Sequence, residues 1–167
     1  MKPIRTILHT TDFSDSARLA MEMACALARD PEARMIVMHV VPQGAPAIGA
    51  DREVIRRGEI AEQELHSYRE EMRGRLEELQ PRSRKVHVEH VLKEGPVAEV
   101  ILRMAEETPC DLIVMGTHGA GGCSHKALGS VTEEVMKSAP CPVVIVKTPV
   151  AEKVAARRPS RTAVGAS

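Results

Sequence analysis

The chain has 167 residues, with 23 basic and 23 acidic side chains and only two aromatic residues, Phe13 and Tyr68. This length suits one domain with a core of its own, and that core must be aliphatic. Balanced charge and scarce aromatic rings argue against a nucleic-acid-binding surface, which usually carries excess positive charge and stacking platforms. No apolar run is long enough for a secretory signal or for the roughly 20 residues of a membrane span, so we expect a cytoplasmic protein.

The first half of the chain alternates strand and helix patterns. Residues 3–10 predict a strand, and Ser14 or Asp15 can cap the helix that follows. Its apolar side chains recur at helical spacing before Pro31, on a face formed by Leu19, Met23, Ala26 and Leu27. Residues 34–41 form a mostly apolar run, typical of a parallel strand covered on both faces.

The middle of the chain predicts a long helix and a less buried strand. The charged segment 51–80 carries one apolar stripe, which consists of Ala61, Leu65, Tyr68, Met72, Leu76 and Leu79. Residues 85–92 alternate in polarity, which indicates a half-exposed strand at an edge of the sheet. Pro96 stands near the first turn of the next helix, whose apolar face consists of Val97, Val100, Ile101 and Met104.

The last third repeats the pattern and sets the fold class. Residues 110–116 predict a buried strand, residues 129–139 a helix, and residues 141–147 a final strand. Strict alternation predicts an α/β fold, a doubly wound parallel sheet with helices on both faces. Residues 149–167 show no periodicity and predict a disordered tail after a single domain over residues 1–148.

A glycine-rich loop joins the fourth predicted strand to the last helix, with Gly116, Gly119, Gly121, Gly122 and Gly129. Glycine lets a ligand approach the backbone closely, and the N-terminus of a helix presents free N–H groups that bind anions. In open α/β sheets the loop after strand 1 meets this region at the carboxyl edge. We therefore expect a phosphate-bearing ligand between Asp12 on one side and the hydroxyls of Ser130 and Thr132 on the other. A flexible connection without a ligand, with Ser130 serving only as a helix cap, is the alternative.

The spacing of the glycines narrows the ligand. Neither G-x-x-x-x-G-K-[ST] nor G-x-G-x-x-G is present. Gly116 and Gly119 are instead followed, after nine residues, by Gly129 and Ser130. This resembles the G-x2-G-x9-G-[ST] motif of the universal stress protein family, in its ATP-binding branch. The resemblance extends over residues 3–147, from "ILHTTDFSDSA" to "GSVTEEVMKSAPCPVVIVK".

The resemblance implies a five-stranded parallel sheet in the order 3-2-1-4-5 and a site for ATP, with Mg²⁺ as a candidate companion ion. Thr10, Thr11 and Asp12 would lie near the adenine and ribose, and the backbone of Val40 would bind the adenine edge. The ribose and phosphates would be flanked by Met115 and Gly116, and the phosphates held by Gly119, Gly129, Ser130, Val131 and Thr132. The resemblance also implies a homodimer through the last strand, residues 142–147.

These features predict a small cytosolic ATP-binding regulator of the stress response. Two departures stand in the motif: Ala120 occupies a position that is often basic in relatives, and the spacer contains Cys123 and His125. No catalytic constellation emerges, and Glu133 and Glu134 beside the phosphate loop would repel a triphosphate. Binding is therefore favoured over turnover. The alternatives are a slow ATPase or nucleotidyl-transfer enzyme, and a ligand-free dimerisation module.

The remaining thiols and imidazoles have plainer interpretations. His118, Cys123 and His125 are candidates for a metal or oxidant site, but three ligands in one loop lack an ordered scaffold. The cysteines form no C-x-x-C pair, which predicts reduced thiols. His9 and His39 lie in apolar strands near the crevice and are expected to be satisfied core or rim histidines rather than catalysts. Surface positions are expected for His66, His87 and His90.

Overall fold

The computed structural model describes residues 3–42, 59–81, 86–117 and 128–148, and every structural statement below concerns these residues. Strands and helices alternate along them as the sequence predicts. The strands are β1 (Thr6–Thr10), β2 (Arg34–Pro42), β3 (His87–Gly95), β4 (Leu112–Gly116) and β5 (Val143–Val146). The helices are α1 (Asp15–Leu27), α2 (Glu59–Glu78), α3 (Val97–Glu107) and α4 (Ser130–Ser138). The predicted tail and the middle of the glycine loop lie outside the described residues.

The five strands form one parallel sheet in the order β3-β2-β1-β4-β5, which confirms the predicted fold class and strand order. β1 is central: Ile7 pairs with Met35 of β2 on one side and with Leu112 of β4 on the other. β3 is an edge strand, as its alternating polarity predicts, and it extends to Gly95. The strand order therefore reverses between β1 and β4, and α/β sheets open a crevice at such a reversal.

Two aliphatic clusters, one on each face of the sheet, form the core. Leu8, Ile36 and Ile113 pack with Ile101 of α3 and Val135 of α4. The opposite cluster lies beneath α1 and α2 and contains Ile7, Met35, Val114, Ala20 and Leu76. Strands covered on both faces bury successive side chains, which explains the apolar runs of β1, β2 and β4.

The buried face of α1 differs from the predicted one. Ala17, Ala20, Met21 and Ala24 are buried, whereas Met23 is 43% exposed and Ala26 is also exposed. The prediction was wrong because two stripes of this helix both carry apolar residues at helical spacing. The small alanines face the sheet because they let the helix lie close to β4. Leu19 and Leu27, which are half-buried, flank that contact.

The helix ends have identifiable caps. Ser14 is the N-cap of α1, and its hydroxyl accepts a hydrogen bond from the N–H of Ala17 at 3.2 Å. Pro96 is the N-cap of α3, one position before the first turn. α2 is the longest helix, and its apolar stripe buries Met72 and Leu76 as predicted. No helix in the described ranges is long and apolar enough to cross a membrane.

One surface histidine was predicted wrongly. His66 and His87 are exposed, but His90 is half-buried and donates from Nε2 to the carbonyl oxygen of Leu79, 2.8 Å away. That carbonyl stands just beyond α2, where helices leave acceptors without internal partners. His90 therefore helps hold the end of α2 against the edge strand β3.

The end of β4 touches the start of α1 at Gly116. A Cβ at this position would lie 2.5 Å from Oγ of Ser16 and 3.0 Å from the backbone nitrogen of Ala17. The glycine is thus required by close approach of two backbones. Gly74, in contrast, lies inside α2 and would place a Cβ in open space.

These two glycines should respond to alanine with opposite signs. Gly116→Ala should lower the free energy of unfolding by about 1–3 kcal/mol, because backbone atoms must move to admit the methyl group. Gly74→Ala should raise it by about 0.5–1 kcal/mol, since alanine loses less conformational entropy in a helix. Urea unfolding followed by circular dichroism measures both. A Gly116→Ala variant as stable as the wild-type protein would contradict the close packing.

Candidate functional site

A cavity of about 400 Å³ opens at the carboxyl edge of the sheet, between the loop after β1 and the start of α4. This volume lies within the usual range for small-ligand sites. Ten of the eleven residues predicted from the sequence line it: Thr10, Thr11, Asp12, Val40, Met115, Gly116, Gly129, Ser130, Val131 and Thr132. The eleventh, Gly119, lies outside the described residues. The fold thus brings the two sequence segments together, and their roles in binding stay predictions.

The turn after β1 places a carboxylate at the cavity. Oδ1 of Asp12 accepts hydrogen bonds from the backbone N–H of Ser14 (3.0 Å) and from its hydroxyl (2.6 Å). Oδ2 is buried and has no hydrogen-bond partner within the described part of the chain. A buried acceptor without a partner is unfavourable, so a ligand hydroxyl or amino group would satisfy a real requirement of this site.

His39 adds a second acceptor that sequence analysis assigned only to the core or rim. Its Nδ1 donates to the carbonyl oxygen of Thr11 at 2.7 Å, which leaves Nε2 as the unprotonated nitrogen of a neutral ring. Nε2 is buried and lacks a partner among the described residues. Burial lowers the pKa of His39, so the ring stays neutral at physiological pH. The signal in the sequence was a lone polar residue one position before Val40.

The cavity has an apolar wall that sequence analysis did not assign to the site. Tyr68 of α2, together with Val97 and Ile101 of α3, lines it opposite the sheet. The sequence predicts all three only as members of buried helix faces. Their convergence depends on how two helices from opposite faces reach the same edge, which no local pattern encodes. An apolar slot of this kind suits a planar aromatic ring.

The start of α4 supplies backbone donors rather than side-chain charge. Gly129 is the N-cap and its N–H donates to the carbonyl oxygen of Thr117 at 2.9 Å. The first bond within the helix runs from the N–H of Glu133 to the carbonyl oxygen of Gly129. The N–H groups of the first three helical residues (Ser130, Val131 and Thr132) therefore have no partner inside the helix, as at every helix N-terminus.

The two predicted hydroxyls behave differently. Thr132 is buried, and its hydroxyl donates to the carbonyl oxygen of Gly116 at 3.2 Å, which ties α4 to the end of β4. Ser130 is exposed and is the first residue of the helix, so the N-cap is Gly129 and not Ser130. Of these two residues, Ser130 is the exposed one.

Charge and metal chemistry are sparse in the described residues. Asp12 is the one charged side chain among the described residues that line this cavity. Within the described ranges no cluster of histidine, cysteine or acidic residues is arranged to hold a metal ion. His118, Cys123 and His125, the candidate metal or oxidant site, lie outside those ranges. Cys25, Cys110 and Cys141 form no disulfide with one another, and burial raises the pKa of Cys110 to about 11.

A second buried histidine lies in β1, on the face of the sheet that α1 and α2 cover. Nδ1 of His9 donates to the carbonyl oxygen of Val114 in β4 at 3.1 Å, and Nε2 has no partner among the described residues. Burial outweighs the favourable effects of that hydrogen bond and of Asp12, and it lowers the pKa of His9 to about 4. His9 is thus a core histidine, as predicted, and it is neutral at physiological pH. The prediction that its ring is satisfied was wrong for Nε2 within the described residues.

The fold and the cavity define an α/β protein of the doubly wound type, with a binding crevice at the point where strand order reverses. The chain belongs to the universal stress protein family, whose family model matches residues 3–147. Universal stress protein MJ0531 of Methanocaldococcus jannaschii is 36% identical over 149 residues, which cover 87% of this chain and 83% of that protein. A universal stress protein of Thermus aquaticus is 32% identical over 154 residues, or 86% of this chain and 98% of its own length.

Solved structures share the fold. The structure of protein MJ0577 aligns with a TM-score of 0.75 at 28% identity, covering 89% of this chain and 99% of that one. A universal stress protein in complex with cAMP aligns at a TM-score of 0.57 and 22% identity, over 89% of this chain and 100% of that one. An Arabidopsis thaliana member with AMP bound aligns at 0.50 and 20% identity, over 94% and 97% of the two chains.

The neutral state of His9 predicts how stability responds to acid. Between about pH 6.5 and pH 4 the unfolded chain binds a proton at His9 that the folded protein does not, so the free energy of unfolding should fall as the pH is lowered. His39 acts in the same direction. The decrease due to His9 should be about 3 kcal/mol when complete. Ring-proton NMR of the wild-type protein, assigned with His9→Gln, would contradict this if the His9 ring titrated near 6.5.

Proposed function

We propose that the protein is a regulator of the stress response that binds ATP in the cavity between the β1 loop and α4, with little or no hydrolysis. The observation that carries the proposal is the cavity itself, which combines an apolar slot, two unpartnered buried acceptors and a helix N-terminus. An adenine nucleotide presents a planar ring, hydroxyl and amino donors, and an anionic tail. The ring, the donors and the anionic tail thus each match one part of the cavity.

The base and ribose match the inner part of the site. The adenine would occupy the slot beside Tyr68, Val97 and Ile101, against the backbone of Val40. A ribose hydroxyl would donate to Oδ2 of Asp12; acidic residues accept from a ribose hydroxyl in dinucleotide-binding folds of the doubly wound type, although from a later position in the chain. Nε2 of His39, an acceptor only, would favour a ligand amino group over a carbonyl there.

The phosphates match the outer part. The N–H groups of Ser130, Val131 and Thr132, with the partial positive charge of the helix end, would bind phosphate oxygens. Gly129 would not donate to a phosphate, because its own N–H is bound to the carbonyl oxygen of Thr117. Its lack of a side chain would permit the phosphates to approach closely. Mg²⁺ is proposed as a companion of the triphosphate, because it commonly binds phosphate oxygens with only one or two carboxylates. Asp12, the one carboxylate in the described lining, is assigned to the ribose, so the phosphate oxygens themselves would hold the ion.

Relatives support an adenine nucleotide without deciding its phosphate count. The two structures of the same fold with cAMP and AMP contain that base and ribose. The glycine spacing of this chain is what favours ATP. Titrations with ATP, ADP and AMP, with and without Mg²⁺, compare these ligands directly.

Asp12→Asn is the sharpest test of the site. Asparagine retains an oxygen for the hydrogen bonds from Ser14 but replaces the free carboxylate oxygen by a donor, so ATP affinity should fall about tenfold or more. Asp15→Asn is the matched control: Asp15 is exposed at the start of α1 and forms an ion pair with Arg18. Its affinity should remain that of the wild-type protein, as measured by isothermal titration calorimetry.

Three outcomes would overturn the proposal or part of it. If the wild-type protein binds no adenine nucleotide and its thermal stability is unchanged by Mg-ATP, the ligand-free dimerisation module is the better interpretation. Equal ATP affinity in Asp12→Asn and Asp15→Asn would place the nucleotide elsewhere. Release of ADP or AMP above background that Asp12→Asn abolishes would favour an enzyme.

We also propose a homodimer through residues 142–147. β5 is an edge strand of four apolar, half-buried residues, and such an edge invites pairing with another strand. Pro142 and Val146 direct their carbonyl groups toward β4, where they accept from Ile113 and Thr117. Because a strand alternates its hydrogen-bonding direction, Val143 and Ile145 direct theirs outward.

The direction of these groups distinguishes two proline substitutions. Val143→Pro removes an outward N–H and should convert the dimer to a monomer with an intact fold. Val144→Pro, the control, removes a bond of the sheet itself and should destabilise the fold. Multi-angle light scattering with circular dichroism measures mass and folding. A folded Val143→Pro variant that retains the dimer mass would contradict an interface at this edge.

A further inference from the structure

A second cavity, of about 300 Å³, lies on the other face of the sheet, in the groove between α1 and α2. It shares only Thr11 and Ala17 with the first cavity among the described lining residues. We propose that it is a separate binding site for a small organic monoanion with an apolar body and a hydrogen-bond donor opposite its charge. This inference goes beyond nucleotide binding and does not depend on it.

The ring of His9 forms the floor of this second cavity and determines what must lie there. Because Nδ1 donates to Val114, Nε2 can only accept. His9 is 1% exposed, and its Nε2 has no partner within the described ranges. Phe13, Thr11 and Ser14 stand beside it, but the N–H of Phe13 is already bound to the hydroxyl oxygen of Thr11. A hydroxyl or amino group of a ligand would supply the missing donor.

The walls are apolar and the mouth is cationic. Ala17, Met21 and Leu79 line the middle of the second cavity, with the ring of Phe13. The guanidinium carbon of Arg75 lies 4.2 Å from the centroid of that ring, which holds a cation at the edge. This arrangement places an acceptor at the bottom, hydrocarbon along the sides and positive charge at the opening.

Two other charged groups at the mouth limit the charge of the ligand. Arg18 lines the second cavity but forms an ion pair with Asp15 at 2.7 Å, so part of its charge is already compensated. Glu78 also lines it and would repel a multiply charged anion. A carboxylate of single charge, directed at Arg75, fits this balance better than a phosphate.

The methionines report which cavity a ligand enters. Met21 lines the second cavity, whereas Met38 and Met115 line the first. With ¹³C-methyl-labelled methionine, titration of the full chain with 4-hydroxybenzoate should shift the Met21 signal in a saturable manner and leave those of Met38 and Met115 unchanged. An unmoved Met21 signal up to about 10 mM ligand, or shifts of Met38 and Met115 instead, would overturn the proposal.

Ligand analogues test the two polar ends in the wild-type protein. Benzoate, which lacks the donor, should bind about fivefold more weakly than 4-hydroxybenzoate, and 4-hydroxybenzyl alcohol, which lacks the charge, about tenfold more weakly. Equal affinity of all three would mean that only hydrocarbon is recognised, and would overturn the proposed ligand class.

A pair of arginine variants tests the mouth. Arg75→Gln should weaken 4-hydroxybenzoate binding about tenfold. Arg73→Gln, at an exposed position of the same helix that is paired with Glu70, should leave it unchanged. Equal losses in both variants, or none in Arg75→Gln, would overturn the role of Arg75. Both arginine variants should bind ATP with the affinity of the wild-type protein, because the second cavity is a separate site from the first.

Discussion

The turn from Thr11 to Ser14 is the constraint on which the rest of this structure depends. One oxygen of Asp12 accepts two hydrogen bonds from Ser14, and Ser14 in turn caps α1. The same closure leaves the other oxygen of Asp12 buried at the crevice, without a hydrogen-bond partner among the described residues. It also holds Phe13 at a φ of 64°, in the left-handed region that residues other than glycine seldom adopt. A conformation of this kind persists only where its surroundings impose it, and here they include the ring of His39, 4.7 Å from that of Phe13.

The helix packing follows from that turn. Because α1 begins directly after it, the first residues of the helix meet the end of β4, and Gly116 is the residue that admits them. The alanines of α1 continue the close contact along the sheet. α4 is attached to the same place by the hydroxyl of Thr132 and the N–H of Gly129. Two helices from opposite faces thus have their N-termini fixed around one strand end, which is the geometry that opens a crevice.

Much of this architecture could be predicted from the chain alone. The alternation of apolar runs with amphipathic segments is strong enough to order every element, and the resemblance to relatives supplied the strand order. Local patterns could not decide which face of a helix is buried where two faces carry apolar residues with the same periodicity. In α1 the stripe with Leu19 and Met23 and the stripe with Ala17 and Ala24 are equally helical, and only the distance to β4 selects the second. The burial of His90 was predicted wrongly because its hydrogen-bond acceptor, the carbonyl oxygen of Leu79, lies at the end of a different element, and no local pattern shows that contact.

The candidate site likewise contains residues that the sequence predicts and residues that it does not. Its polar members follow β1 and β4 directly, so their neighbourhood is set by sheet order, and the motif identifies them. Tyr68, Val97 and Ile101 come from helices, and their meeting point depends on packing angles that the sequence does not express. The cavity between α1 and α2 was not foreseen at all. It arises because α1 and α2 leave a groove above His9 on one face of the sheet. The distance between the two helices determines this groove, and no residue type indicates it.

The peptide dipoles at the start of α4 have a consequence for how this crevice could be controlled. An amide N–H has no proton that ionises near neutrality and no amine that an acyl group could modify. In the described lining no lysine or arginine accompanies these amides. Occupancy by an anion there would consequently be insensitive to the acylation and methylation reactions that act on basic side chains. It would respond instead to whatever bends or shifts the first turn of that helix.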